Sequence, residues 1–157
     1  MSGEQRNLDL LNEPVALELL RSAIPARLGY VALDGTPRVV PIWFHWNGKQ
    51  IVLGTPPTAP KVQSLQKNPA VALSIDATTW PYRALQIRGR AKVDIVQGVP
   101  AEYNSAAERY FGETQGRHWV EQLCGMFTHM ARIEIQPHWV GILDFETRFP
   151  SAIAAAM

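Results

Sequence analysis

IVLGTPPTAPKVQSLQKNPAVALSID, residues 51–76, reads as a strand, a loop, a short helix, a stop and a second strand. The strands are Ile51 to Thr55 and Val71 to Asp76. Between them Thr58 suits an N-cap, and Pro60 suits the first helical turn, where a missing N–H costs nothing. Val62 and Leu65, three apart, give the helix one buried stripe. Asn68 and Pro69 stop it, asparagine by tolerating a left-handed cap and proline by being unable to continue. Lys61 is the informative residue. A cation in the first turn faces the positive end of the helix dipole and costs a few tenths of a kcal/mol. An anion bound there reverses the sign, because free N–H groups, the dipole and the ammonium converge on it. The pattern therefore predicts a phosphate site after a strand; the competing reading is a solvated surface lysine.

Working outward, Asp34-Gly35 and Asn47-Gly48 are hairpin signals. They bracket a β-rich segment, Ala26 to Leu33, then Arg38 to Trp46 (RVVPIWFHW), then a strand entered at Gln50. The spacing predicts a three-strand meander. Apolar residues at nearly every position of Arg38 to Trp46 imply cover on both faces, and Pro41 implies a bulge or an edge. Before the meander, Asn12 to Ala23 carries helix signals: Asn12 as cap, Pro14 near the start, and Leu17, Leu20 and Ile24 at helical spacing. After residue 76 comes a loop, ATTWPYR, then a long strand, Ala84 to Val96, in which Gly89 marks a bend. Ala91, Val93 and Ile95 alternate there with Lys92 and Asp94, leaving one face wet. Pro100 to Phe111 and Gln115 to Cys124 read as helices packed outside, and Met130 to Phe145 as one or two last strands. The expectation is one mainly β domain over 1–157, core about 14–146, with about six antiparallel strands and flanking helices.

Composition narrows the function. Charged residues are 18% and hydrophobic ones 46% of 157 residues, which suits a packed globular chain. A net charge of +1 without a basic block gives no reason to expect a nucleic-acid partner. A lone cysteine, Cys124, excludes an internal disulfide and is expected to be buried. The first residues, MSGEQRNLDL, lack an apolar signal core, and no run has the length of a membrane span, so a cytoplasmic, soluble protein is expected. His45, His118, His129 and His138 lack the close pairing of a helix-borne metal site, so no metal is expected. No G-x-S-x-G elbow or Walker loop occurs.

The order of elements, with T-x5-K opening a short helix, then N-P and a strand, then a strand carrying G-x-A, resembles the pyridoxamine 5'-phosphate oxidase family. The resemblance runs from about Leu17 to Phe145. It implies a split β-barrel that binds FMN, or in one branch a deazaflavin coenzyme, at the interface of a homodimer. Five tryptophans and the low charge fraction point to the same pairing of subunits. Carried over by position, the family's R-x-x-x-x-K strand under the flavin ring resembles Arg38 to Trp43, with tryptophan in the lysine's place. Its tyrosine-threonine pair resembles Gly54-Thr55, and its serine-arginine-lysine triplet resembles Ala59-Pro60-Lys61. Its glutamine falls at Ala84, and Arg148-Phe149-Pro150 differs from its C-terminal end. Oxidation of pyridoxamine phosphate itself is therefore not expected.

The resemblance implies that Thr55 and Lys61 hold the phosphate. It places backbone groups of Pro41, Ile42 and Trp43 at the ring edge and Arg38 on the same strand, while Trp80, Tyr82 and Arg83 cover the neighbouring subunit's cofactor. Trp43 reads equally as a core or interface aromatic, and Trp80 and Tyr82 as a turn packed on its own barrel. No catalytic side chain is singled out, because flavins and deazaflavins carry their own hydride chemistry. Two functions remain open: an oxidoreductase acting on a small organic substrate, and a non-catalytic protein that stores or senses a cofactor or has lost it.

Overall fold

The computed structural model describes residues 7–157, so the reading of the N-terminus lies partly outside it. The strands are β1 (Ala26–Val31), β2 (Pro37–Ile42), β3 (His45–Trp46), β4 (Ile51–Thr55), β5 (Ala70–Asp76), β6 (Arg83–Gln97) and β7 (His129–Asp144). Helices are α1 (Pro14–Arg21), α2 (Pro60–Lys67), α3 (Ala101–Phe111), α4 (Glu113–Met126) and α5 (Ser151–Ala154). The strands make one antiparallel sheet in the order β2-β1-β5-β6-β7-β4-β3. No helix among the described residues is long and apolar enough to cross a membrane.

Seven strands stand where about six were expected, because Arg38 to Trp46 is not one strand. β2 pairs with β1 and β3 pairs with β4, so the two pieces lie at opposite edges of the sheet. The expected meander is instead two separate hairpins, turned at Gly35 (φ 82°) and Gly48 (φ 96°). Only Trp43 and Phe44 separate β2 from β3. Three peptide steps reach about 10 Å, so the first and last strands must approach each other and the sheet curls into a barrel. Pro41 does sit on an edge strand, without a bulge. Within one chain the two faces are not both covered: Val39 is 68% exposed.

β6 runs unbroken against β7, which is a single strand. The ladder shifts between Arg88 and Gly89, leaving His138 of β7 as the extra residue. A Cβ on Gly89 would stand 2.5 Å from the Gln136 carbonyl oxygen, so the glycine permits a close approach of backbones there. The core gathers Leu19 and Leu20 of α1, Leu28 of β1, Phe44, Ile51 and Leu53 of β4, Leu65 of α2, and Ile87, Ile133 and Ile135 of the long hairpin.

Helix ends differ from their signals. Glu13, not Asn12, precedes α1; Asn12 closes a 3-10 turn, Leu8–Asn12. Ala59, not Thr58, precedes α2, and no side chain caps that helix. Asn68 is extended (φ −132°) rather than left-handed, and its side-chain oxygen accepts from Ala70 N at 3.1 Å. Ile95 is 50% exposed, although its alternation placed it on the covered face.

Candidate cofactor site

Thr55 ends β4 on the same side as the core residues Ile51 and Leu53, and is itself 6% exposed. The chain then turns through Pro56 and Pro57 into α2, which brings Lys61 back towards it. Lys61 Nζ donates to Thr55 Oγ1 at 3.5 Å, a long contact, and Lys61 makes no ion pair among the described residues. Burial holds its pKa below the usual lysine value. A half-buried ammonium with only a weak hydroxyl partner, in the first turn of a helix without a side-chain cap, is short of an anion. These residues fit a phosphate.

The β2 residues are arranged differently. Arg38 is tied to its own hairpin, Nη2 to Asp34 Oδ2 at 3.0 Å, with a further hydrogen bond to the Thr36 hydroxyl. The Thr36 hydroxyl and amide, with Arg38, hold the Asp34 carboxyl down to about 2. Pro41 is exposed and Ile42 half-buried on the free edge of the sheet. Trp43 stacks on Tyr110 of α3 (centroids 5.1 Å, 9° between planes) and meets Phe111 edge-on at 4.7 Å. Its half-buried ring therefore packs on α3.

The role of α3 was missed from the sequence. Arg109 Nε donates to the Ser22 carbonyl at 2.8 Å, another of its nitrogens donates to the Phe44 carbonyl, and Tyr110 donates to the Ile24 carbonyl at 3.0 Å. Glu102 pairs with Arg132 of β7 at 2.7 Å. Tyr103 fills the space over Gly54: a Cβ there would meet its ring at 2.8 Å. The Tyr103 hydroxyl accepts from Trp119 Nε1 at 3.0 Å, and burial pushes its pKa up. His45 lies under the same helix, its pKa lowered by burial and by Arg109, with Glu102 opposing. The available signal was the seven-residue step from Tyr103 to Tyr110, two turns on one helix face.

Trp80, Tyr82 and Arg83 form a separate group. Trp80 is 68% and Tyr82 48% exposed, their rings edge-to-face at 5.2 Å. Arg83 is tied to Glu18 of α1. These residues belong with Phe145 at the far end of β7 and do not join Thr55 and Lys61 within one chain. Cys124 is exposed on α4, against the expected burial, because that face of the helix turns away from the barrel. Among the described residues no group of three or more His, Cys, Asp or Glu could hold a metal ion.

A curled antiparallel sheet, open at one corner and followed at β4 by a short helix, defines a split β-barrel protein. The family model described as Pyridoxamine 5'-phosphate oxidase matches residues 13–141. The chain belongs to that family. It is 28% identical to a solved F420 reductase, over 79% of this chain and 94% of that one, with a TM-score of 0.62. A conserved hypothetical protein from Mycobacterium tuberculosis is 19% identical over 89% of each chain (TM-score 0.66). A heme storage protein from Vibrio cholerae is 19% identical over 84% of this chain and 93% of that one (TM-score 0.59). Curated proteins gave no match.

Proposed function

We propose that the chain is a homodimeric oxidoreductase that binds FMN at the subunit interface and acts on a small organic substrate. One observation carries the reading: Lys61, half-buried in the first turn of α2, has no carboxylate partner among the described residues, and its one hydrogen bond there is to the Thr55 hydroxyl. Family membership supports it, since the family generally binds flavin. The exposed apolar edge of β2, with Val39 outward, supports the pairing of two chains. In the dimer, Trp80, Tyr82 and Arg83 cover the partner's cofactor.

FMN, when bound, supplies the electron and hydride chemistry. The residues of this chain bind and orient. Lys61 and Thr55 fix the phosphate, and the edge backbone of Pro41 and Ile42 receives the ring. Trp43 contributes by holding α3 in place. Ala59, Pro60 and Ala84 replace family residues, so pyridoxamine phosphate oxidation is not the activity proposed.

A second reading, a deazaflavin coenzyme in place of FMN, is favoured by the 28% identity to an F420 reductase. The absorbance and mass of the small molecule that co-purifies decide between them. A yellow protein carrying FMN, bleached by a reduced nicotinamide and recoloured by an acceptor, is the expected result. Failure to take up either coenzyme overturns the proposal and leaves the non-catalytic alternative.

A further inference from the structure

The two halves of the proposed cofactor site belong to strands that no ladder joins. Pro41 and Ile42 end β2, which pairs with β1, while Thr55 ends β4, which pairs with β3 and β7. Along the chain they are connected by the tether of Trp43 and Phe44 and by the β3–β4 hairpin. Strand pairing therefore leaves the distance from ring edge to phosphate open, and a contact from outside the sheet has to set it.

One side chain of α3 touches both halves. The Tyr103 ring lies against Gly54, the residue before Thr55. A Cβ on that glycine would stand 2.8, 3.2 and 3.3 Å from Cδ2, Cβ and Cγ of Tyr103. The same ring meets Trp43, the residue after Ile42, with centroids 5.9 Å apart and 37° between planes. Its hydroxyl accepts from Trp119 Nε1 of α4 at 3.0 Å, which fixes the direction of the ring.

Neighbours of Tyr103 on α3 brace the same junction. Glu102 holds Arg132, the ladder partner of Gly54, at 2.7 Å. Arg109 donates to the Phe44 carbonyl in the tether. Successive side chains of a strand alternate between faces, so Tyr103 presses on β4 from the face opposite Thr55 and Leu53. It acts on the backbone there, while Lys61 meets Thr55 from the other side.

We propose that Tyr103 is a positioning residue that sets the span between the ring-binding edge of β2 and the phosphate-binding pair, Thr55 and Lys61. The inference rests on the flavin reading and adds to it the device that matches the site to its ligand. A ligand held at both ends gains from the second contact only when the span between the two fits. FMN is such a ligand, whereas riboflavin keeps the ring and lacks the phosphate.

The full-length apo protein is titrated with FMN and with riboflavin, both read by quenching of flavin fluorescence. Tyr103→Ala is expected to weaken FMN roughly fivefold or more and to change riboflavin by less than about twofold. Tyr103→Phe keeps both ring contacts and should retain most of the FMN affinity. In a Lys61→Ala background, Tyr103→Ala should cost FMN little more, because the phosphate end is already released. If Tyr103→Ala fails to fold, Tyr103→Leu serves, with the loss again confined to FMN. Equal losses for FMN and riboflavin, full additivity with Lys61→Ala, or an FMN affinity that does not move would each overturn the proposal. An unaltered chain that binds no FMN removes the flavin reading, and this proposal with it. Lys61→Ala without effect on FMN counts against the phosphate anchor, whereas Tyr103→Ala without effect counts against the span alone.

Discussion

Replacing Lys61 by alanine separates a phosphate anchor from a tolerated surface cation. The side chain is half-buried, and its one hydrogen bond among the described residues is a 3.5 Å approach to the Thr55 hydroxyl. A charge-assisted hydrogen bond of this kind contributes about 1.5–3 kcal/mol. At about 1.4 kcal/mol per factor of ten, FMN affinity should fall between about 10-fold and 150-fold. Apo stability should hold or rise slightly, because an ammonium at the positive end of α2 costs a few tenths of a kcal/mol. Lys61→Arg should retain much of the affinity, since the charge survives. Apo protein is titrated with FMN and, in parallel, with riboflavin, which has the ring but no phosphate; flavin fluorescence quenching reads both. Lys61→Ala should weaken FMN and spare riboflavin. Equal losses for the two ligands would refute the reasoning, as would an FMN affinity that does not move.

Four further outcomes follow from the structure. Burial lowers the Lys61 pKa below 10.5, so FMN affinity should decline on the alkaline side before an ordinary lysine would titrate, and Lys61→Arg should abolish the decline. For the apo protein the sign is opposite: below 10.5 the unfolded lysine keeps its proton longer than the folded one, so stability from this group should rise with pH across that window. Gly54→Ala drives a methyl to 2.8 Å from the Tyr103 ring and should cost about 1–3 kcal/mol by thermal melting, recovered in part by Tyr103→Ala. Val39→Lys places a charge on the exposed β2 edge that the proposed dimer would bury, so sedimentation should show a folded monomer for the variant and a dimer for the unaltered chain.

Much of the fold was legible because its punctuation is chemical and local. Asp34-Gly35 and Asn47-Gly48 are turns because glycine alone takes positive φ there without penalty, and both glycines do. The strands at 51–55 and 70–76 and the helix from Pro60 were bounded by prolines in the same way. The caps were less legible. Thr58 and Asn12 are competent cap residues one position too early, and the turn preceding each helix selects the register. Nothing local announced the break at Trp43. Its apolar neighbours read as one strand, and the break comes from Phe44 turning into the core while Trp43 turns to α3, a contact made across more than sixty residues. Within the candidate site, Thr55 and Lys61 were legible through their spacing. Arg109 was not, since its partners are two backbone carbonyls, and Tyr103 was not, since its ring sits over a glycine and its hydroxyl meets Trp119 of the next helix.

The two residues between β2 and β3 leave the ring of strands closed by a tether. No ladder hydrogen bonds join those two strands; covalent continuity does, with Arg109 gripping the Phe44 carbonyl from outside. A seam of this kind transmits tension along the chain but resists shear poorly, so the two edges can slide past one another without any strand pair breaking. Cutting the backbone between Trp43 and Phe44 would turn the closed body into an open seven-stranded ribbon with every registered pair intact.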